Sequence, residues 1–231
     1  MPKIIVIGDV HGHLDQMVEL LQSDTFNFAL QVGDFGAYLP TGNLSALPSH
    51  RRTELGQFAE YFEKQKPFPA PTYFCKGNHE DFDLLAKYEN GDAIMPNLHY
   101  VPNGKVVEIQ GVRIGFLGGN FSSRWFDQPV PKNCQSQKIL GYLRKSEIDA
   151  IKADIGKIDI LVTHEPSFAP QFTGDRKYGC AAIHDLIEAV KPRFTFSGHI
   201  HKYAEGIIGD TKCIALGAVN YRDQSAYLLT I

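Results

Sequence analysis

Five apolar stretches of this sequence each run into a short polar block of similar chemistry. The blocks read Gly8-Asp9-Val10-His11-Gly12, Gly33-Asp34, Gly77-Asn78-His79-Glu80, Thr163-His164-Glu165 and Gly198-His199-Ile200-His201. The stretch before the first block, Ile4-Ile5-Val6-Ile7, is apolar at every position. A strand covered on both faces reads this way, whereas a half-solvated strand alternates. Directly after the first block, Leu14, Met17, Val18 and Leu21 follow helical spacing, as the crossover between parallel strands requires. The chain is therefore constrained towards an α/β fold whose strand ends gather ligand-type side chains in one crevice.

Buried strands are expected at residues 3–7, 28–32, 72–75, 159–162 and 194–196. Helices are expected near 53–64, 81–88, 146–153 and 181–190. The apolar runs 106–109 and 112–117 flank Gln110-Gly111 as a hairpin. Residues 121–138 hold Pro129 and Pro131 and show no period, so a long loop is expected there. Short β segments at 203–208, 211–216 and 226–230 complete an α/β (α+β) arrangement of mixed sheets.

Composition removes several classes. Lys and Arg total 23 against 26 Asp and Glu, which excludes affinity from bulk positive charge, as in a nonspecific DNA coater. The 231 residues suffice for a real core, and one domain over residues 1–231 is expected. No run approaches the ~20 apolar residues of a membrane span, and the run after Lys3 is too short for a signal peptide. Cys75, Cys134, Cys180 and Cys213 form no CxxC pair, so no thiolate zinc site is expected. The expectation is a cytoplasmic protein with free thiols.

Of nine histidines, five lie in the polar blocks, which makes the blocks the place to look for chemistry. Carboxylate, imidazole and amide donors without sulfur suit hard to borderline divalent ions. A glycine beside each ligand lets the backbone turn and approach closely. In an extended chain His199 and His201 would point to the same side. Glu80 and Glu165 flank ligand positions, where they would either orient the ligands or lie at the surface.

In this order the blocks resemble the signature of calcineurin-like metallophosphoesterases: D-x-H, G-D, G-N-H-[DE], a lone H, then G-H-x-H. The resemblance implies two facing mixed β-sheets flanked by helices, a four-layer sandwich. It also implies two divalent metal ions, Mn, Fe, Zn or Ni. Asp9, His11, Asp34 and His201 would hold the first, and Asp34, Asn78, His164 and His199 the second, with Asp34 bridging. Such ions sit ~3.5–4 Å apart, and a bridging hydroxide is the nucleophile. His79 would stand over the substrate and donate a proton to the leaving oxygen.

Between the blocks, Gly33-Asp34-Phe35, Arg51-Arg52, Lys76-Gly77-Asn78-His79-Glu80 and Asn97-Leu98-His99-Tyr100-Val101 are similar to the catalytic domain of RNA lariat debranching enzymes, which hydrolyse 2′–5′ phosphodiesters. Asp9 stands where those enzymes usually carry cysteine. Gly36 and Tyr38 stand where phosphoprotein phosphatases carry Asp and Arg. The implied activity is a phosphodiesterase acting on a nucleotide, RNA or a small phosphodiester. A phosphomonoesterase or protein phosphatase on the same scaffold, and a non-catalytic scaffold protein, are the alternatives. In the 121–138 loop, Arg124 would pair a phosphate and Trp125 would stack on a base, unless the loop aromatics cap the core.

Overall fold

The two faces of the first strand go to different buried layers. In the computed structural model of the chain, which describes residues 1–154, 156–167, 179–221 and 223–231, β1 (Lys3–Ile7) turns Ile4 and Val6 to one layer and Ile5 and Ile7 to the other. Burial on both faces is why the strand is apolar throughout, each such side chain contributing about 1.5–3 kcal/mol.

Beside β1 lie β2 (Phe28–Gln31), β3 (Thr72–Phe74) and β5 (Leu98–Tyr100), all parallel. The antiparallel β4 (Ala93–Met95) and β12 (Ala226–Thr230) close the two edges of this six-stranded sheet. The second six-stranded sheet has a parallel centre of β7 (Val112–Leu117), β8 (Ile160–Thr163), β9 (Phe194–Ser197) and β11 (Thr211–Ala215). Its edges are the antiparallel β6 (Lys105–Ile109) and β10 (Ala204–Ile208).

The sheets share an inner core in which Val6, Phe28 and Leu30 meet Phe116, Val162 and Phe196. The outer face of the first sheet packs on α1 (Leu14–Gln22), α2 (Phe58–Glu63) and α3 (Phe82–Leu85) through Met17, Leu21, Phe58 and Phe82. After α4 (Gln137–Leu140), α5 (Lys145–Lys152) and α6 (Ala181–Val190) cover the second sheet through Ile148, Ile151, Ile183 and Ile187. This is the expected four-layer arrangement. Among the described residues no helix is long and apolar enough to cross a membrane.

Four local readings change. The helix expected at 53–64 begins only at Phe58, because Gly56 is left-handed (φ 72°) and the Gln57 N–H bonds to the Gly12 carbonyl. The helix expected at 81–88 is α3, capped by the Asp81 carboxylate on the Leu84 N–H, followed by a 3-10 turn at Ala86–Tyr88. The loop expected to reach 138 ends earlier, where Ser136 caps α4. Strands β4 and β5 were not expected. Each has three residues, too few to show a period, and they turn on Pro96-Asn97 with Asn97 left-handed.

Because β1, β2 and β3 run parallel to one another in the first sheet, and β8 and β9 do so in the second, their carboxyl ends gather the polar blocks. The Asp34 carbonyl accepts the Val10 and His11 N–H groups at 3.0 and 2.7 Å, and the His164 carbonyl accepts the Gly198 N–H at 2.9 Å. On the far side, the Val219 N–H bonds to the Asp9 carbonyl at 2.9 Å, bringing the loop between β11 and β12 to the same place.

Candidate metal centre

Four residues of the polar blocks have left-handed backbones although none is glycine: His11 (φ 50°), Asp34 (φ 51°), His199 (φ 68°) and His201 (φ 52°). Each such residue costs about 1–3 kcal/mol, and strain of this kind collects at functional sites. The geometry corrects one expectation. His199 and His201 do not alternate along an extended chain, because both lie in a tight turn. That turn sends His201 towards His11 and His199 towards His164, with ring centres 4.8 Å and 5.0 Å apart.

Two ligand clusters result. Asp9, His11, Asp34 and His201 each place one donor atom within 4.8 Å of the others, and Asp34, His164 and His199 do the same. Asp34 belongs to both. Asn78 joins the second cluster through its Oδ1, 3.1 Å from His164 Nε2. The structure thus brings together all seven of the expected ligand residues.

The backbone grips the carboxylates. Asp34 Oδ1 accepts the N–H groups of Asn78 and His79 at 2.8 Å each. The Asp9 carboxylate accepts the His199 N–H at 3.0 Å. Two glycines allow these approaches, since a Cβ on Gly77 would overlap Asp34 Oδ1 and one on Gly198 would overlap Asp9 Oδ1. Glu80 is fully buried, which removes its surface reading. It accepts the N–H groups of Phe35, Gly36 and Ala37 at 2.7, 3.1 and 2.8 Å, bracing the loop that carries Asp34. Burial and the nearby Asp34 push its carboxyl up to about 8, against those donors. Glu165 accepts the Phe121 N–H, which ties the long loop to the residue after His164.

The charges fit a cation. Burial raises the Asp9 carboxyl, whereas Asp34, although equally buried, is held well below the carboxylate range by His164, His11 and His79. Burial disfavours the protonated rings of His11, His164 and His199, lowering the last to about 4. A hydrogen bond to Asp9, at 3.0 Å, raises His201. His164 Nδ1 lies 3.0 Å from the Val32 carbonyl, an acceptor, so its Nε2 turns a lone pair towards Asn78 Oδ1, also an acceptor. Among the described residues no Lys or Arg pairs with Asp9 or Asp34. Converging lone pairs and uncompensated buried carboxylates are what a divalent ion of the oxygen- and imidazole-binding type requires.

His79 stands outside both ligand clusters. Its Nδ1 is 3.3 Å from the Ala46 carbonyl and its ring is 5.9 Å from that of His11. It lines a small cleft with His11, Tyr38 and Arg51. The buried Tyr38 hydroxyl has no hydrogen-bond partner among the described residues, and burial, followed by Glu80, raises its pKa and keeps it neutral. Tyr38 and Arg51 belong to no ligand motif, although both lie in stretches where the resemblance was drawn; Tyr221 carries no local mark, and only the folded loops bring it near His11. Arg124 and Trp125 do not line the two cavities that open at His11. Instead, Arg124 and Arg144 lie over the Trp125 ring at 5.3 and 5.7 Å, and Phe126 packs against the outer core.

A family model described as calcineurin-like phosphoesterase matches residues 2–203. The lariat debranching enzyme of Gallus gallus is 30% identical over 241 residues, covering 91% of this chain and 45% of its own length. That of Homo sapiens is 28% identical over 230 residues, covering 86% of this chain and 42% of its own length. The chain therefore spans less than half the length of these relatives. The crystal structure of TT1561 of Thermus thermophilus matches with a TM-score of 0.60 at 13% identity, covering 94% of this chain and 90% of that one, a likeness of fold.

Proposed function

This chain belongs to the calcineurin-like phosphoesterase family, and from that premise we propose that it is a metal-dependent phosphodiesterase acting on a nucleotide or another small phosphodiester. The observation that carries the proposal is the pair of ligand clusters sharing Asp34. In this reading Asp9, His11, Asp34 and His201 hold one ion, and Asp34, Asn78, His164 and His199 the other. The donor set suits Mn, Fe, Zn or Ni, with Mn our first choice. When bound, such ions supply Lewis acidity towards phosphoryl oxygens and make water more acidic.

The chain's own residues do the rest. Asp34, fixed by the two N–H groups of Asn78 and His79, keeps both clusters in register. His79 gives the proton that the leaving alcohol needs, because an alkoxide leaves poorly; with Nδ1–H turned to the Ala46 carbonyl, Nε2 supplies that proton from the imidazolium form and the ring is left neutral. The buried, neutral Tyr38 hydroxyl in the same cleft offers a further donor to the substrate. Arg124 and Trp125, on the loop tied to Glu165, are kept as outer substrate contacts.

Diesters are preferred to monoesters in this proposal because the relatives at 28–30% identity are lariat debranching enzymes. The proposal treats residues 1–231 as one domain, since both sheets share one inner core. Four free cysteines, three of them buried, suit its placement in the reducing cytoplasm.

The test is hydrolysis of bis-p-nitrophenyl phosphate and p-nitrophenyl phosphate after chelation and repletion with single metals. Diester turnover lost on chelation and restored by Mn or a similar ion supports the reading. Turnover of the monoester alone would make the protein a phosphatase, and turnover of neither, with metals bound, would return the scaffold alternative.

A further inference from the structure

A cavity of about 390 Å³ opens directly from the first ligand cluster, with His11 in its wall beside Arg51, Glu54, Asn220 and Tyr221. Its size is that of a small-molecule site. Three features of its lining remain unexplained by folding. Tyr221 is 49% exposed, yet its ring is seated 5.2 Å from that of His201 at 34°. Its backbone is fixed by a 3.1 Å bond from its N–H to the Ala218 carbonyl, next to the Val219 N–H that holds Asp9. The ring is thus an aromatic face held at the rim of the centre rather than a core residue. Arg51 lies in the wall of both this cavity and the small cleft beside His79, and among the described residues its guanidinium has no ion-pair or hydrogen-bond partner. Asn220 adds an amide with both a donor and an acceptor.

We infer that this cavity receives a nucleoside of the substrate, with the base stacked on Tyr221, a phosphate oxygen on Arg51 and a polar edge of the nucleoside on Asn220. A flat aromatic face, a single cation and an amide match the three parts of a nucleoside phosphate: π-face, anion and hydrogen-bonding edge. The Glu54 carboxylate in the same wall can accept only from donors, as sugar hydroxyls are, and disfavours an additional phosphate there. The substrate class is therefore one with a base and a single phosphodiester near this wall. The inference rests on the phosphodiesterase reading for its catalytic meaning, but the binding it describes is separable from turnover.

Two esters with the same leaving group separate the cases: thymidine 5′-p-nitrophenyl phosphate and methyl p-nitrophenyl phosphate. The thymidine ester should have a kcat/KM at least about tenfold higher, the size of one base–aromatic stack. Tyr221→Leu should bring the ratio to near one, and Tyr221→Phe, which keeps the ring, should preserve it. Arg51→Gln should lower kcat/KM for both esters by similar factors. In parallel, calorimetric titration should show thymidine 5′-monophosphate binding about tenfold more tightly than inorganic phosphate, a difference lost in Tyr221→Leu. An ester ratio near one in the unaltered protein, or equal binding of thymidine monophosphate and phosphate, overturns the inference. Tyr221-dependent binding of thymidine monophosphate without turnover of either ester would uphold it while defeating the phosphodiesterase reading.

Discussion

His11 and His201, 190 positions apart in the chain, hold their Nε2 atoms 2.8 Å from each other. The same His201 nitrogen is 3.0 Å from Asp9 Oδ2, and the same His11 nitrogen is 3.8 Å from Asp34 Oδ2. Two ring nitrogens and two carboxylate oxygens therefore point at one small volume from the ends of three strands. A hydrogen bond between the rings uses one proton and leaves the other donors facing each other. One cation satisfies them all, which is why the pair is the clearest mark of a metal centre in the fold.

Shared ligation makes Asp34 different from the other ligands. Asp34→Asn keeps an oxygen for the Asn78 and His79 N–H groups, so the fold should survive. Both ions should bind more weakly together, whereas His201→Ala should weaken one. Metal analysis after dialysis against limiting Mn reads this directly. One ion lost and one retained in Asp34→Asn would show that the residue serves a single site.

His79→Ala should keep the metal content of the parent and lower kcat for the diester by roughly 10²–10⁴-fold. The ring lies outside both ligand clusters, so metal loss accompanying the loss of turnover would make it a ligand rather than a proton donor.

Glu80→Gln tests the brace behind Asp34. An amide has one accepting oxygen where the carboxylate has two, so it leaves at least one of the N–H groups of Phe35, Gly36 and Ala37 unsatisfied in a buried place. The expected cost is about 1–3 kcal/mol, or a Tm lower by roughly 2–12 °C, with metal affinity down about 10- to 100-fold. The melt is read above pH 8, where Glu80 is ionised, and an unchanged Tm there would mean that the three N–H groups find other acceptors.

Arg144, 4% exposed, donates to the Trp125 carbonyl at 2.5 Å and to the Ile139 carbonyl at 2.6 Å, clamping both ends of the long loop. Arg144→Met keeps much of the volume and removes both bonds. Thermal melting should show a loss of about 2–3 kcal/mol, and limited proteolysis should cut first between residues 121 and 136. A cleavage pattern equal to the parent's would show that the loop is held by other contacts.

The sequence by itself determined the strands of both parallel centres, except β5, and the ligand residues that follow five of them. Residues buried on both faces leave a continuous apolar run, and a sharp turn beside a ligand leaves a glycine; both are local signals. Gly77 and Gly198 were legible for this reason, and the structure shows the close approaches they permit. The family resemblance implied how the ligands divide, but only the tertiary structure shows what divides them. His199 and His201 are two residues apart, yet their left-handed backbones send them to different clusters, an arrangement that no alternation rule contains. It also decided that Glu80 is a buried brace, and that Arg51 and Tyr221, 170 residues apart in the numbering, line one cavity with His11. Such pairings depend on where loops from separate strands cross in space. The physical reason is that a loop's course is set by hydrogen bonds to distant backbone, such as Val219 N–H to the Asp9 carbonyl, and those bonds leave no period in the residues that make them.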